Sequence, residues 1–168
     1  MGIERVLVVA AIATAVTSGV QAQRRVPAQR AETTVPVTIA LKAGAEDFNF
    51  TGKAACSHAP VASIYGLVAE RWTVDQSEGG RGVTLALWHP KSGSDLISLR
   101  LTGGGKPHSV STIKVGTNGT VEGSGTIALA KEKTGGTFTI NATTAGGTKI
   151  SGTVKCDAFT PAVAEGGD

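Results

Sequence analysis

The side chains with the most chemistry in this chain are few: two cysteines, three histidines and two tryptophans. Cys56 and Cys156 stand 100 positions apart. Two thiols can form one bridge, or act as free nucleophiles or metal ligands. Reactive or metal-binding pairs usually sit close in sequence, as in C-x-x-C, and no such spacing surrounds either residue. The pair is therefore expected to be a long-range disulfide. His58, His89 and His108 supply the remaining imidazoles. No two fall at a metal-binding spacing such as H-x-H or H-x-x-x-H, so the plainer expectation is three loop or strand-end histidines at the surface. A metal site is predicted only if folding gathers His58, His89 and His108.

Two catalytic motifs match in part. Ser111-Thr112-Ile113-Lys114 fits S-x-x-K, and Lys133-Thr134-Gly135 fits K-T-G, both from the serine β-lactamase set. That serine opens a helix, whereas Val110, Ile113 and Val115 give this segment a strand pattern. No S-D-N lies between the two motifs, so the match is read as coincidence. Gly103-Gly104-Gly105-Lys106 lacks the first glycine and the hydroxyl of a phosphate-binding loop, since Arg100 and Pro107 occupy those places. No catalytic residue is assigned and no motif calls for a cofactor.

The strongest binding signal is a cluster of polar and aromatic residues: His58 and Tyr65 in one segment, Trp88, His89 and Lys91 in another. Trp88 has the opposite parity to Leu85 and Leu87, which faces it outward if the strand is regular. Tryptophan beside histidine and lysine suits a ligand or partner patch. The competing expectation is a ring packed under a neighbouring loop, as large rings are mostly buried.

These residues need a scaffold, and the periodicity supplies one. Val35, Val37, Ile39 and Leu41 alternate with small or polar residues. So do Trp72 and Val74; Val83, Leu85 and Leu87; Ile97, Leu99 and Leu101; and Phe138 and Ile140. Period two marks half-buried antiparallel strands. Glu78-Gly79-Gly80, Gly103-Gly104-Gly105, Asn118-Gly119 and Gly146-Gly147 supply turns that tolerate positive φ. The chain is predicted to be all-β: a single antiparallel β-sandwich, or partly closed barrel, of about eight or nine strands. Ile113 and Val115 are expected in one strand, and Val121, Ile127 and Leu129 in another.

Strand parity returns to the cysteines. Phe48, Phe50, Ala54 and Cys56 share one face, and so do Ile150, Val154 and Cys156. Both thiols are thus predicted to face the core near strand ends. The closing segment, Ile150-Ser151-Gly152-Thr153-Val154-Lys155-Cys156 after Phe138 and Ile140, resembles the last hairpin of small exported bacterial β-sandwich proteins. That resemblance covers about twenty residues and carries no catalytic residue.

Residues 1–22 read as a cleaved secretory signal peptide: Arg5, an apolar stretch from Val6 to Val20, and small residues at Val20 and Ala22. The apolar stretch is shorter than the ~20 residues of a spanning helix, so no membrane anchor is expected after cleavage. A secreted or periplasmic location follows, and it favours the disulfide. Residues 23–33 form a basic leader with Arg24, Arg25 and Arg30, residues 34–160 the β-domain, and residues 161–168 an acidic, disordered tail. The net charge is +3, and three arginines in a leader are too few for nucleic-acid binding. Asn49, Asn118 and Asn141 head N-x-[ST] sequons, expected to be unmodified behind a bacterial-type signal.

The leading functional expectation is a non-enzymatic protein that binds a small ligand, or an envelope or extracellular partner. The alternative is a small metal-dependent or hydrolytic enzyme built on the three histidines. A weaker alternative is an extracellular assembly subunit that donates its leader as a strand.

Overall fold

The structure is a computed structural model that describes residues 33–162. The expected signal peptide, the leader as far as residue 32 and the tail beyond residue 162 lie outside the described residues. Within them the chain is all-β. Its strands are β1 (Val35–Ala43), β2 (Glu46–Ile64), β3 (Leu67–Glu78), β4 (Arg81–Pro90), β5 (Leu96–Thr102), β6 (His108–Thr112), β7 (Val121–Glu122), β8 (Ser124–Lys131), β9 (Gly136–Thr143), β10 (Lys149–Cys156) and β11 (Thr160–Pro161).

These strands form one antiparallel sheet in the order β7-β6-β5-β4-β3-β2-β1-β10-β9-β8, with β11 added beside β2. The sheet rolls into a nearly closed barrel, and two corners make this possible. The first is β2, whose 19 residues are shared between two layers. Its first half pairs with β1, from Glu46 to Ala54, and its second half pairs with β3, from Ala55 onward. The second corner is Gly123. There the chain leaves β6, its partner along β7, and joins β9 along β8. Gly123 has φ 77°, and a Cβ on it would lie 2.2 Å from the Thr143 carbonyl oxygen. Only glycine turns that corner without a collision. The expected strand through Val121, Ile127 and Leu129 is thus broken in two. The strand expected at Ile113 and Val115 ends at Thr112, because Val115 and Asn118 close a short turn on each other.

The alternation read from the sequence is the core. Val37, Ile39 and Leu41 of β1 lie beside Phe138, Ile140, Ile150 and Val154 of the neighbouring β9 and β10 on one inward face. Val74, Leu85, Leu99 and Val110 line the other layer. Each such side chain contributes roughly 1.5–3 kcal/mol by leaving water. β1 and β10 approach closely at Gly152 (φ 135°), where a Cβ would stand 2.0 Å from the Ala40 carbonyl oxygen on β1.

Cys56 and Cys156 form the disulfide, with Cα atoms 6.3 Å apart and both residues fully buried. Cys156 lies opposite Val37 near the start of β1, and Cys56 lies just past the last β1–β2 pair. β1 therefore leaves the edge of β2 free from Ala55 onward. The chain after Cys156 fills part of that gap. The hydroxyl of Thr160 donates to the Cys56 carbonyl, β11 pairs in parallel with Ser57 and His58, and the Ala162 N–H donates to the His58 carbonyl. Pro161, assigned by sequence to a disordered tail, is thus the end of a strand. A disulfide of this kind belongs to an oxidising, non-cytoplasmic environment. Among the described residues no helix is long and apolar enough to cross a membrane.

Candidate functional site

Past the disulfide, the inward face of the sheet changes from apolar to polar. Cys56 is followed two residues later by His58. Val74 gives way along β3 to Trp72 and then Glu70. Leu85 and Leu87 give way along β4 to His89. Cross-strand pairing sets His58 opposite Trp72, and Glu70 opposite His89. The alternation that fills the core thus delivers three titratable groups to one open end of the barrel. Lys131, the last residue of β8, reaches this end from the facing layer.

The groups are tied together. Glu70 Oε1 accepts hydrogen bonds from the His58 ring at Nε2 (2.7 Å) and from the Lys131 ammonium (3.0 Å). The His58 ring stacks on Trp72, with centroids 5.0 Å apart and planes 8° from parallel. Lys131 Nζ lies 4.3 Å from the centre of the same indole, a cation–π distance. Burial raises the pKa of Glu70, but hydrogen bonds and charge from Lys131 and His58 outweigh it and hold the carboxyl below the usual glutamate range. Across the opening, His89 Nδ1 and Asp95 Oδ1 are 2.7 Å apart.

Together these residues enclose a cleft of about 260 Å³. Trp72, Leu87 and Leu129 make its apolar floor. Glu70, His89, Asp95 and Lys131 make its rim. An adjoining groove of about 400 Å³ shares Glu70 and His89 with it and is walled by Pro60, Val61, Val68 and Lys91. Ligand sites favour such barrel mouths, where an apolar surface is bordered by a few placed polar groups.

The structure divides the residues picked out in the sequence. His58 and His89 meet at the mouth around Glu70, and Lys91 lines the adjoining groove. Trp88 turns away: it is half-buried on the outer surface, opposite Arg71 of β3. Tyr65 sits at the tip of the β2–β3 hairpin, 58% exposed. His108 belongs to the opposite end of the barrel, 3.7 Å from Glu46. The three histidines therefore do not gather; each stands beside its own carboxylate. Among the described residues no group of three His, Cys, Asp or Glu side chains is placed to hold a metal ion.

Sequence reasoning missed Glu70, Trp72, Asp95 and Lys131 as site residues. Trp72 read as core, which it also is, at 3% exposure. Glu70 had a signal, being two residues before an inward tryptophan on the same strand face. Lys131 had none, because it comes from a strand 61 residues away in sequence. A second cavity, about 90 Å³ beside Gln76, Phe48 and Arg81, lies where β2 and β3 part. Ser111 of the S-x-x-K match lies in β6 and donates its hydroxyl to the Thr120 carbonyl just before β7, a structural bond. Comparison with protein-family models, with characterised proteins and with solved structures gives no match.

Proposed function

We propose that this is an exported, non-enzymatic binding protein of the periplasm or the exterior, and that the mouth of its barrel receives a small ligand. One observation carries the reading. An open cleft lies over the nearly buried Trp72 ring, and its polar border is already assembled from three strands and the turn after β4. The border groups are engaged with one another: Glu70 with His58 and Lys131, and Asp95 with His89. Such a pre-formed, internally hydrogen-bonded ring favours recognition, because little has to be ordered when the ligand arrives. Leu129, partly buried at the cleft, offers an apolar edge, the nearly buried Trp72 ring beneath Lys131 and His58 senses any change in their pairing, and Lys131 offers a charge that can exchange Glu70 for a ligand group.

The chain has two tryptophans, so a Trp88→Phe variant leaves Trp72 as the sole indole reporter. The test titrates that variant with panels of small sugars, carboxylates and amphiphiles while following its fluorescence. Saturable change with at least one class, weakened by Lys131→Ala, is the expected result. A Trp72 signal indifferent to every class, with no heat of binding by calorimetry, would remove the mouth as a binding site.

A further inference from the structure

The hairpin between β2 and β3 extends past the mouth. From Ala59 to Ala69 it has no charged side chain. Three of the four exposed large apolar residues among those described lie on it: Val61 (64% exposed), Tyr65 (58%) and Val68 (48%). An exposed cluster of this kind usually marks an interaction surface. Its direction is fixed by parity. Val68 shares the face of Glu70 and Trp72, so it continues the wall of the cleft outward. Pro60 and Val61 occupy the irregularity where the β2–β3 register shifts between Ala59 and Ala62. They line the same groove as Val68.

The tip is held in a costly way. Tyr65 has φ 50° and Gly66 φ 81°, the two-residue turn for which asparagine–glycine is the usual sequence. A bulky side chain in the left-handed region is disfavoured. A tyrosine there keeps the hairpin apolar at some expense in stability. Beside the apolar wall stands Lys91, which belongs to none of the ion pairs among the described residues. The acidic groups of the mouth, Glu70 and Asp95, are by contrast already paired. Lys91 therefore brings to the groove a positive charge that no ion pair among the described residues engages, and it borders an apolar track.

We infer that the ligand is a single-chain anionic amphiphile, its acyl or alkyl chain lying along Val61 and Val68 and its acidic head between Lys91 and His89 at the mouth. This rests on the mouth being a binding site and names the class of molecule it takes. The two cavities, about 260 and 400 Å³, adjoin at Glu70 and His89, and the larger, walled by Val61 and Val68, has room for a chain of this type. The chain gains by leaving water, and the head gains from an ammonium group that has no ion-pair partner among the described residues.

The experiment uses the full-length Trp88→Phe protein and straight-chain carboxylates from six to twelve carbons, each below its micellar concentration. Octyl glucoside serves as the neutral amphiphile and acetate as the chainless acid. Affinity is expected to rise about twofold to fourfold per methylene, the lower figure applying to a chain half-covered by an open groove. Val61→Ser with Val68→Ser should flatten that dependence while leaving the melting temperature close to the parent, since both residues are exposed. Lys91→Gln should weaken every carboxylate and leave octyl glucoside unchanged. Binding that saturates with equal affinity along the series would overturn the amphiphile while leaving the mouth as a site for another ligand. Silence toward all probes, including the panels of the broader screen, would overturn both. Binding only to vesicles or micelles would replace a monomeric ligand with a membrane surface and so refute the inference.

Discussion

Removing the bridge between Cys56 and Cys156 should cost this domain a large part of its stability. In the chain-entropy description, a cross-link that closes a loop of about 100 residues restricts the unfolded chain by ~4.7 kcal/mol. Here the loop contains everything from the second half of β2 through β10. Two local effects add to it. Both residues are fully buried, so serine replacements would leave hydroxyls in an apolar setting, whereas a Cys56→Ala, Cys156→Ala pair leaves only a small void. The bridge also anchors the start of the segment that places β11 against Ser57 and His58. We expect the double alanine variant to lose about 3–5 kcal/mol in equilibrium urea unfolding, with the slope rising as the unfolded chain expands. Domains of this length commonly have only about 5–15 kcal/mol of stability, so the loss would be a large fraction of the total and should lower the melting temperature markedly. Reduction of the parent protein should reproduce most of the loss. A change under about 1 kcal/mol in both experiments would show that the sheet is closed by packing alone and that the staple argument is wrong.

Other consequences can be checked on the same material. The Glu70 carboxyl is held below its ordinary range, so its contribution to stability is present above that range and disappears as the pH falls through it. The gap in melting temperature between the parent and Glu70→Gln should therefore be widest near neutrality and close below about pH 4. A gap constant with pH would contradict this. Tyr65→Asn should stabilise the protein by about 0.5–1 kcal/mol in urea, because asparagine tolerates the left-handed turn better. A loss of stability would show instead that the ring makes a compensating contact. Gly152→Ala should destabilise by more than about 3 kcal/mol, since its Cβ would stand 2.0 Å from the Ala40 carbonyl oxygen at a φ that alanine rarely adopts. Near-parent unfolding would mean that β1 and β10 can separate at little cost.

Most of the fold was legible because burial in a sheet repeats every second residue. Val35 to Leu41 and Val83 to Leu87 announce both their strands and the faces that these present. The parity of Cys56 and Cys156 brought the disulfide within reach of the same argument. What resisted was curvature. Whether a sheet splits into a sandwich or rolls into a barrel depends on corners such as Gly123, and a glycine that turns the chain looks in sequence like one in any hairpin. The site resisted for a related reason. Glu70 and His58 are 12 residues apart and Lys131 is 61 from Glu70, and only the rolled sheet brings them together. Trp88 drew attention as an exposed aromatic, yet consecutive residues of a strand face opposite ways. A patch holding both Trp88 and His89 could not survive on one surface. Asp95 lies in the turn after β4, where no periodicity points to it.

The pairing of β1 with β10 governs when the structure can form. Val37 must meet Cys156, and Ala43 must meet Ile150, before the first strand is covered on both sides. Contacts spanning nearly the whole chain close late and slowly, as a long loop has to be ordered before they are made. A ribosome would have to release almost all of the domain before its first hairpin found its second neighbour. The partner thiol for Cys56 arrives at the same moment. Closure of the core and oxidation of the bridge are thus set for a single late event, after synthesis of the domain and in the compartment where it can be oxidised.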